Sequence, residues 1–514
     1  MARQAFIYGA IILFAANLLN RILAFVYQYL IMSLVGAESY GLYQMVFPAY
    51  MMALVLTTAG LPLAVSKLVS EQGALGNRAA AQKIFRIALI LLVLSGATVS
   101  SLLFVLVSRF TLPVLPDSRV VPIFLICTPA IFVVTVSSAF RGYFQGLLQM
   151  APTALAQVVE QVIRVSVGLY LSLRFLPLGS QYGAAGLASG MVAGEMAGLL
   201  SILWIYFRQK KQPAREARAS VPGALTIVKD LFRLGLPVAG GRLVASAASA
   251  ADSMLIPLRL QAAGYSLREA TTLYGQLGGA AFTLLTFPTV FTFSLATSLV
   301  PAISEAAAKK HLLTVQHRTA EAIRITVILG SPFLVFIYFF SSELSGIFKS
   351  PNAGGVLSTL ALAGIFLYLQ STTAGILQGL GHPQLPVWHA VAASAVKLIF
   401  IFHLTAIPTL GLKGAAWAYN IAFVLTSGLN LAAIARKAGL SLDLERLILQ
   451  PLTASLLMAG AILLTKGRFG SAPLYLELLW EFSLGTVVYL AVLVLNKGLT
   501  REDLKRIPLV GRLV

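Results

Sequence analysis

The chain has 514 residues, of which 58% are hydrophobic and 11% are charged, whereas about a quarter of the residues are charged in a typical soluble domain. No water-soluble core can bury so much apolar surface, so the composition excludes a soluble globular protein and predicts one dissolved in a lipid bilayer. The 38 Lys and Arg against 18 Asp and Glu give a formal net charge of +20. In a soluble protein that excess would indicate nucleic-acid binding.

Apolar windows of roughly 20 residues, the length that spans a bilayer, follow one another along almost the whole chain. They predict an all-α, polytopic membrane protein of about fourteen transmembrane helices. The predicted helices lie near residues 7–31, 42–66, 87–108, 120–140, 153–173, 184–207, 234–257, 273–301, 325–341, 355–380, 386–407, 412–434, 448–465 and 474–496.

The positive charges are unevenly divided between the two sides of the predicted spans. With the N-terminus inside, 25 Lys and Arg fall in cytoplasmic segments, nine on the opposite side and four within spans. This split is what the positive-inside rule predicts, so we expect a multi-pass protein of the bacterial cytoplasmic membrane with both termini in the cytoplasm. The net charge is thus interpreted as an orientation signal, with membrane lipids and not nucleic acid as its partners.

An internal repeat appears at an offset of roughly 230 residues. Leu42-Tyr43 matches Leu273-Tyr274, Gln145-Gly146 matches Gln378-Gly379, and the GAAG motif at Gly183 matches the GLKG motif at Gly411, with offsets of 231, 233 and 228. Because each copy holds six helices, an even number, both copies insert in the same orientation. Parallel repeats of this kind are typical of alternating-access transporters.

The repeat predicts four segments along the chain. Residues 1–207 form an N-terminal lobe, 208–230 a basic cytoplasmic linker, 231–437 a C-terminal lobe, and 438–514 two unpaired helices with a basic tail.

Charged residues within spans are the first candidates for function, since an ionisable side chain at the bilayer centre costs roughly 2.5 to 3.5 kcal/mol on insertion scales. Arg21 has no other charged residue between Arg3 and Glu38. It is expected either to line an aqueous cavity or to form a hydrogen bond between helices.

Glu160 and Arg164 are four residues apart, on one helical face, with the acid N-terminal. They either neutralise each other to allow insertion or bind substrate together with Lys397. The repeat aligns Lys397 with Arg164. Two such cations suit an anionic substrate.

Asp252 and Glu195 are the acidic candidates. Asp252 lies near the position that the repeat assigns to Arg21, so it is expected to meet that base, to bind a coupling cation or proton, or to form an intramembrane hydrogen bond. Glu195 is a second coupling candidate, although Gly186, Gly190, Gly194 and Gly198 beside it are typical of close helix packing.

Predicted helices 2 and 8 carry prolines in place of charges within the membrane. Proline removes a backbone hydrogen bond and permits bending, so both helices are candidates for gates and for an apolar lateral wall, with simple packing as the alternative. These prolines are Pro48, Pro62, Pro288 and Pro301.

The sequence holds no Walker-type GxxxxGK[ST], no HExxH and no Cys or His cluster with metal-ligand spacing. We therefore expect neither an enzyme nor a bound cofactor or metal.

Four stretches resemble a known group of transporters: 20–48 (NRILAFVYQYLIMSLVGAESYGLYQMVFP), 56–71 (LTTAGLPLAVSKLVSE), 140–146 (FRGYFQG) and 251–260 (ADSMLIPLRL). They are similar to the multidrug/oligosaccharidyl-lipid/polysaccharide (MOP) exporter superfamily, in the branch of stage V sporulation protein B, which is related to the lipid II flippases. The resemblance covers essentially the whole chain.

The resemblance implies a two-lobed transporter with a central cationic cavity that moves undecaprenyl-pyrophosphate-linked sugars outward. Arg21 matches the helix 1 arginine of the related flippases, whose later arginines are replaced here by Tyr27, Gln28 and uncharged helices. The implied partner is a lipid-linked oligosaccharide with an anionic headgroup and a polyprenyl tail, as a precursor of cell wall, spore cortex or polysaccharide.

Two alternatives remain at this point. An ion-coupled multidrug exporter of the same superfamily would use Asp252 or Glu195 for coupling. An integral-membrane glycosyltransferase would need acidic catalytic residues on a sizeable external loop, whereas the predicted external segments are short and hold few acids.

Overall fold

The computed structural model describes residues 2–109, 117–208, 222–439, 445–468 and 473–499, with the backbone alone at 2–15, 291, 293–298, 301–302 and 446–447. Within these ranges the chain forms helices joined by turns and contains no strand, which confirms the all-α prediction. It divides into two compact units, Met1–Gly279 and Ala280–Val514.

Within residues 2–109, 117–208 and 222–279, the first unit contains nine α-helices. They are α1 Ala2–Leu30, α2 Ala37–Thr58, α3 Leu61–Ala74, α4 Arg78–Arg109, α5 Val120–Gly146, α6 Ala151–Phe175, α7 Ser180–Arg208, α8 Ala224–Ala262 and α9 Leu267–Gln276. Shorter helical turns follow α1 at Ile31–Val35, α6 at Leu176–Leu178 and α9 at Leu277–Ala281.

The second unit contains ten α-helices in its described part. They are α10 Phe282–Thr286, α11 Thr289–Ala308, α12 Leu312–Phe339, α13 Ser341–Ile347, α14 Ala353–Ala361, α15 Gly364–Gly379, α16 Gln384–Leu404, α17 Leu412–Ala438, α18 Gln450–Thr465 and α19 Leu474–Leu495.

Every predicted transmembrane helix has a counterpart in this set. In the described part of the chain, eleven helical segments are long and apolar enough to cross a membrane, and the pair α14 and α15, bent by 54°, makes twelve if it counts as one span. The two remaining predicted helices correspond to the shorter α18 and to the interrupted stretch from α9 to α11. The protein is therefore a multi-pass membrane protein, and the count of fourteen agrees with the structure without being fixed by it.

The unit boundary falls at residue 279, later than the linker at 208–230 that the repeat predicts. It does so because α8 packs against α2 and α3, and α9 packs against α2. The division into lobes, linker and C-terminal helices stays a prediction, and residues 209–221 and 500–514 of that scheme lie outside the described residues.

Predicted helices 2 and 8 are both interrupted near a proline. Helix α2 ends at Thr58 and is followed by Ala59 and Gly60, both with positive φ, before α3 begins with Pro62 in its first turn. In the second unit, Pro288 precedes α11. Pro48 lies inside α2 and Pro301 inside α11. The breaks are observed, whereas the gating role of the four prolines stays a prediction.

The two Gln-Gly repeats occupy equivalent positions in the two units. A Cβ on Gly146 would lie 2.7 Å from both Ser66 O and Val69 Cβ, and one on Gly379 would lie 3.1 Å from Val300 O and 3.0 Å from Ile303 Cβ. The contacted residues are offset by 234, in step with the offset of 233 between the glycines. The same close packing, of α5 on α3 and of α15 on α11, is thus built twice.

Candidate functional site

Four charged side chains from three helices of the first unit form one ion-pair network, which we call the inner network: Arg141, Glu160, Arg164 and Glu195. Glu160 Oε2 accepts from Arg141 Nη2 at 2.7 Å, and Glu160 Oε1 accepts from Arg164 Nη2 at 2.6 Å. The same Arg164 nitrogen donates to Glu195 Oε1 at 2.6 Å. These side chains are between 11% and 24% exposed. The charges of the two arginines and the two glutamates cancel, so the network carries no net charge into the membrane interior.

Close packing of α6 on α7 brings these groups together. Cβ atoms on Gly190 and Gly194 would collide with α6, the first with Gly168 and the second with the Glu160 carbonyl at 2.7 Å. The absence of side chains at the glycines lets the two backbones approach, and Glu195, on the same helix, then reaches Arg164. The packing interpretation of the glycine stripe agrees with these contacts.

Arg164 is therefore engaged by two carboxylates and does not present an open positive charge. An anion can bind it only in competition with Glu160 and Glu195. Lys397, its repeat equivalent in the second unit, has a different environment: it is 7% exposed, and its Nζ lies 4.7 Å from the centroid of the Tyr419 ring. The substrate-binding role of both residues stays a prediction.

Arg21 lies on α1 with an exposed side chain. Helix α1 packs against α6 and exposes Asn17, Leu18 and Ile22 around that position. Asp252 lies on α8 and is 5% exposed, within electrostatic reach of Tyr274 at the end of α9. The predicted meeting of Arg21 with Asp252 and the coupling roles of Asp252 and Glu195 stay predictions.

A second polar cluster lies at one end of the first unit. The distribution of Lys and Arg predicts that this end faces away from the cytoplasm. Glu38, at the start of α2, accepts from Arg119 Nη1 at 2.7 Å and from Arg268 Nε at 2.9 Å. Arg119 also binds Asp117, and this hydrogen-bonded carboxylate raises the pKa of the Arg119 guanidinium. Thr271 on α9 donates to Asp117 at 3.2 Å. We call Glu38, Asp117, Arg119, Arg268 and Thr271 the outer cluster.

Backbone packing at the same end explains why the outer cluster can form. A Cβ on Gly41 would collide with the Thr271 carbonyl oxygen, and one on Gly275 with the Ala37 carbonyl oxygen. Only glycine allows α2 and α9 to lie this close, which places Glu38 beside Arg268. Helix α2 belongs to the first predicted repeat and α9 to the second.

Sequence reasoning missed Arg141 as a member of the inner network, because it placed Arg141 in a cytoplasmic segment after residue 140. Helix α5 continues to Gly146 and carries Arg141 to Glu160. The motif FRGYFQG, with an arginine among aromatic and small residues, was the available signal. Glu38 and Asp117, two of the few acids in the predicted external segments, are both ion-paired.

The comparisons with known proteins decide the family. The family model described as polysaccharide biosynthesis protein matches residues 6–307, more than half of the chain. Stage V sporulation protein B of Bacillus subtilis (strain 168) is 33% identical over 524 residues, which cover 100% of both chains. The chain belongs to the polysaccharide biosynthesis protein family.

The chain is also similar to other members of the superfamily. The MatE family model matches residues 278–403. Lipid II flippase MurJ of Bacillus subtilis (strain 168) is 25% identical over 484 residues, 88% of this chain and 86% of its own. A solved multidrug resistance MATE family transporter, in an inward-facing conformation, has a TM-score of 0.69 at 17% identity and covers 82% of this chain and 94% of its own. That structural likeness shows the fold, which is the one predicted for the MOP superfamily.

Proposed function

We propose that the chain is a flippase that moves a polyprenyl-pyrophosphate-linked saccharide across the bacterial cytoplasmic membrane, with both of its own termini in the cytoplasm. The family and the relatives named for sporulation and for lipid II transport support this class of cargo. The saccharide would serve as a precursor of cell wall, spore cortex or polysaccharide. The protein acts as a transporter and not as an enzyme.

The exposed Arg21 on a membrane-spanning helix is the observation that carries the proposal. A guanidinium in this position is costly unless water or an anionic group reaches it, and its planar set of donors matches the oxygens of a phosphate. The pyrophosphate binds Arg21 while the polyprenyl tail remains in the lipid beside the helices that contain Pro48, Pro62, Pro288 and Pro301.

The inner network and Asp252 serve coupling in this mechanism. Protonation of Glu195, or cation binding at Asp252, changes the local charge and favours one arrangement of the helices over another. Arg164 contributes to headgroup binding after such a change frees it from its carboxylates, and Lys397 is a further cation for the headgroup. A proton or a small cation is then the coupling partner.

Reconstitution of the purified protein in proteoliposomes tests the proposal. The assay follows the flipping of a fluorescent polyprenyl-pyrophosphate-linked saccharide, with Arg21→Gln compared with Arg21→Lys and with Arg109→Gln, which removes a charge at the end of α4. We expect Arg21→Gln to lose most of the activity, Arg21→Lys to retain part of it and Arg109→Gln to retain it fully. Equal activity of Arg21→Gln and wild type would contradict capture by Arg21.

An ion-coupled multidrug exporter is the second candidate, and the buried carboxylates of the inner network favour it. The solved MATE transporter is described as a multidrug resistance protein. A deletion strain separates the two functions: altered drug resistance with a normal wall and spore cortex supports the exporter. Unaltered resistance with a defective wall or cortex supports the flippase.

A further inference from the structure

Arg242 is a charged residue within a predicted span that the site described above does not use. It lies on α8, on the same face as Leu231, Gly235, Ser253 and Leu260, all within about 40° of one another at 3.6 residues per turn. The other four residues of this face are buried, whereas Arg242 is exposed. The face is therefore covered at both ends of the helix and open in the middle.

The contacts at the two ends of α8 show which way the face that carries Arg242 is directed. A Cβ on Gly235 would lie 2.6 Å from the Ala59 carbonyl oxygen, at the break between α2 and α3. Towards the other end of α8, Ser253 and Leu260 on the same face are buried, and the helix also packs against α2 and α9. Between these contacts, the small residues Ala245 and Ser249, on the same face as Arg242, are also exposed. Arg242 thus points towards the protein side of α8 and into a stretch lined by small side chains.

The charge of Arg242 has no counterpart within the described part of the chain. No described residue forms an ion pair, hydrogen bond or ring contact with it, in contrast to Arg164, which holds two carboxylates. An unpaired arginine within a span is costly unless water or a ligand reaches it. Phosphate oxygens suit it well, because a guanidinium binds them through two parallel hydrogen bonds.

Arg242 also lies nearer than Arg21 to the predicted cytoplasmic surface of the membrane. It follows Arg233 by nine residues, or about 14 Å along the helix, whereas Arg21 follows the predicted start of its span at residue 7 by fourteen residues, or about 21 Å. A headgroup that enters from the cytoplasm therefore reaches the depth of Arg242 first.

We propose that Arg242 is a further phosphate-binding residue of the transport path, which holds the pyrophosphate of the lipid-linked saccharide before Arg21 does. The inference rests on the proposed function and adds a specificity residue to it. The shared chemistry is a phosphate on a lipid, so a phospholipid headgroup of the inner leaflet is the competing source of the ligand.

Binding of undecaprenyl pyrophosphate to the purified full-length protein tests this inference. Affinity is measured in nanodiscs of phosphatidylcholine alone and in nanodiscs that also contain phosphatidylglycerol. The variants are Arg242→Gln, Arg242→Lys, Arg21→Gln and Arg233→Gln, the last of which removes the same charge from the same helix outside the membrane. Thermal unfolding of each variant confirms that it is folded.

We expect Arg242→Gln to weaken binding of the pyrophosphate about tenfold, which is about 1.4 kcal/mol, Arg242→Lys to weaken it less, and Arg233→Gln to leave it unchanged. If Arg21→Gln weakens binding and Arg242→Gln does not, the inference is wrong and the proposed function stands. If phosphatidylglycerol abolishes the difference between Arg242→Gln and wild type, Arg242 binds phospholipid, which also overturns the inference. If the wild type binds no pyrophosphate, the proposed function and the inference fail together.

Discussion

Arg268 Nε lies 2.9 Å from Glu38 Oε2, which joins the start of α9 to the start of α2 across 230 residues of sequence. Glu38 is only 15% exposed and also binds Arg119, while Arg268 is 75% exposed. The two residues of this ion pair therefore differ in burial. Glu38 is shared by two arginines within the fold, and Arg268 is largely exposed.

This inequality predicts unequal effects of mutation in the outer cluster. Glu38→Gln removes a partly buried partner of Arg119 and is expected to cost about 1.5 to 3 kcal/mol, as for hydrogen bonds to charged groups. Arg268→Gln is expected to cost less than about 1 kcal/mol, since exposed ion pairs contribute little. Thermal unfolding in detergent measures both. Equal shifts in the unfolding midpoint would contradict this account of the cluster.

The inner network predicts that single mutations harm the protein more than the matched double mutation. Arg141→Gln or Glu195→Gln alone leaves one uncompensated charge and is expected to cost about 2 to 3 kcal/mol, somewhat below the value for complete burial. The double variant retains the neutral Glu160 and Arg164 pair and is expected to be more stable than either single variant. A double-mutant cycle by thermal unfolding tests this, and additive losses would show that the four charges do not act together.

The contact between α8 and α3 predicts a difference between two glycines of the same helix. In Gly235→Ala the new Cβ would meet the Ala59 backbone at 2.6 Å, whereas at Gly240 no atom lies within 4 Å. Gly235→Ala is therefore expected to lower the unfolding midpoint and the transport rate. Gly240→Ala is expected to be neutral or to stabilise the helix by up to about 1 kcal/mol. A stable and fully active Gly235→Ala variant would show that α8 and α3 need not pack this closely.

The sequence predicted the fold well because a bilayer leaves little choice. Long apolar windows must form helices, so all fourteen predicted segments have helical counterparts. The errors lie where helices continue beyond the apolar part: α8 begins ten residues before residue 234, and α12 begins at Leu312 where the prediction began at 325. The apolar windows mark the membrane, whereas these helices extend beyond it.

The candidate site could be predicted only in part. The spacing of Glu160 and Arg164 by one helical turn indicated their ion pair, which the structure contains. The contributions of Arg141 and Glu195 depend on how α5 and α7 pack against α6, and one sequence gives no such distances. The outer cluster was missed for the same reason, since Glu38 and Arg268 meet only through the glycine contacts between α2 and α9.

The affinity of the purified protein for three lipids that differ only in phosphate number tests the central claim most directly: polyprenyl pyrophosphate, polyprenyl monophosphate and uncharged polyprenol. If cations within the membrane bind the headgroup, the affinity should fall with each phosphate removed. The affinity for polyprenyl pyrophosphate should also fall as the salt concentration rises. Equal affinity for all three lipids, independent of salt, would contradict charge-based capture of the substrate.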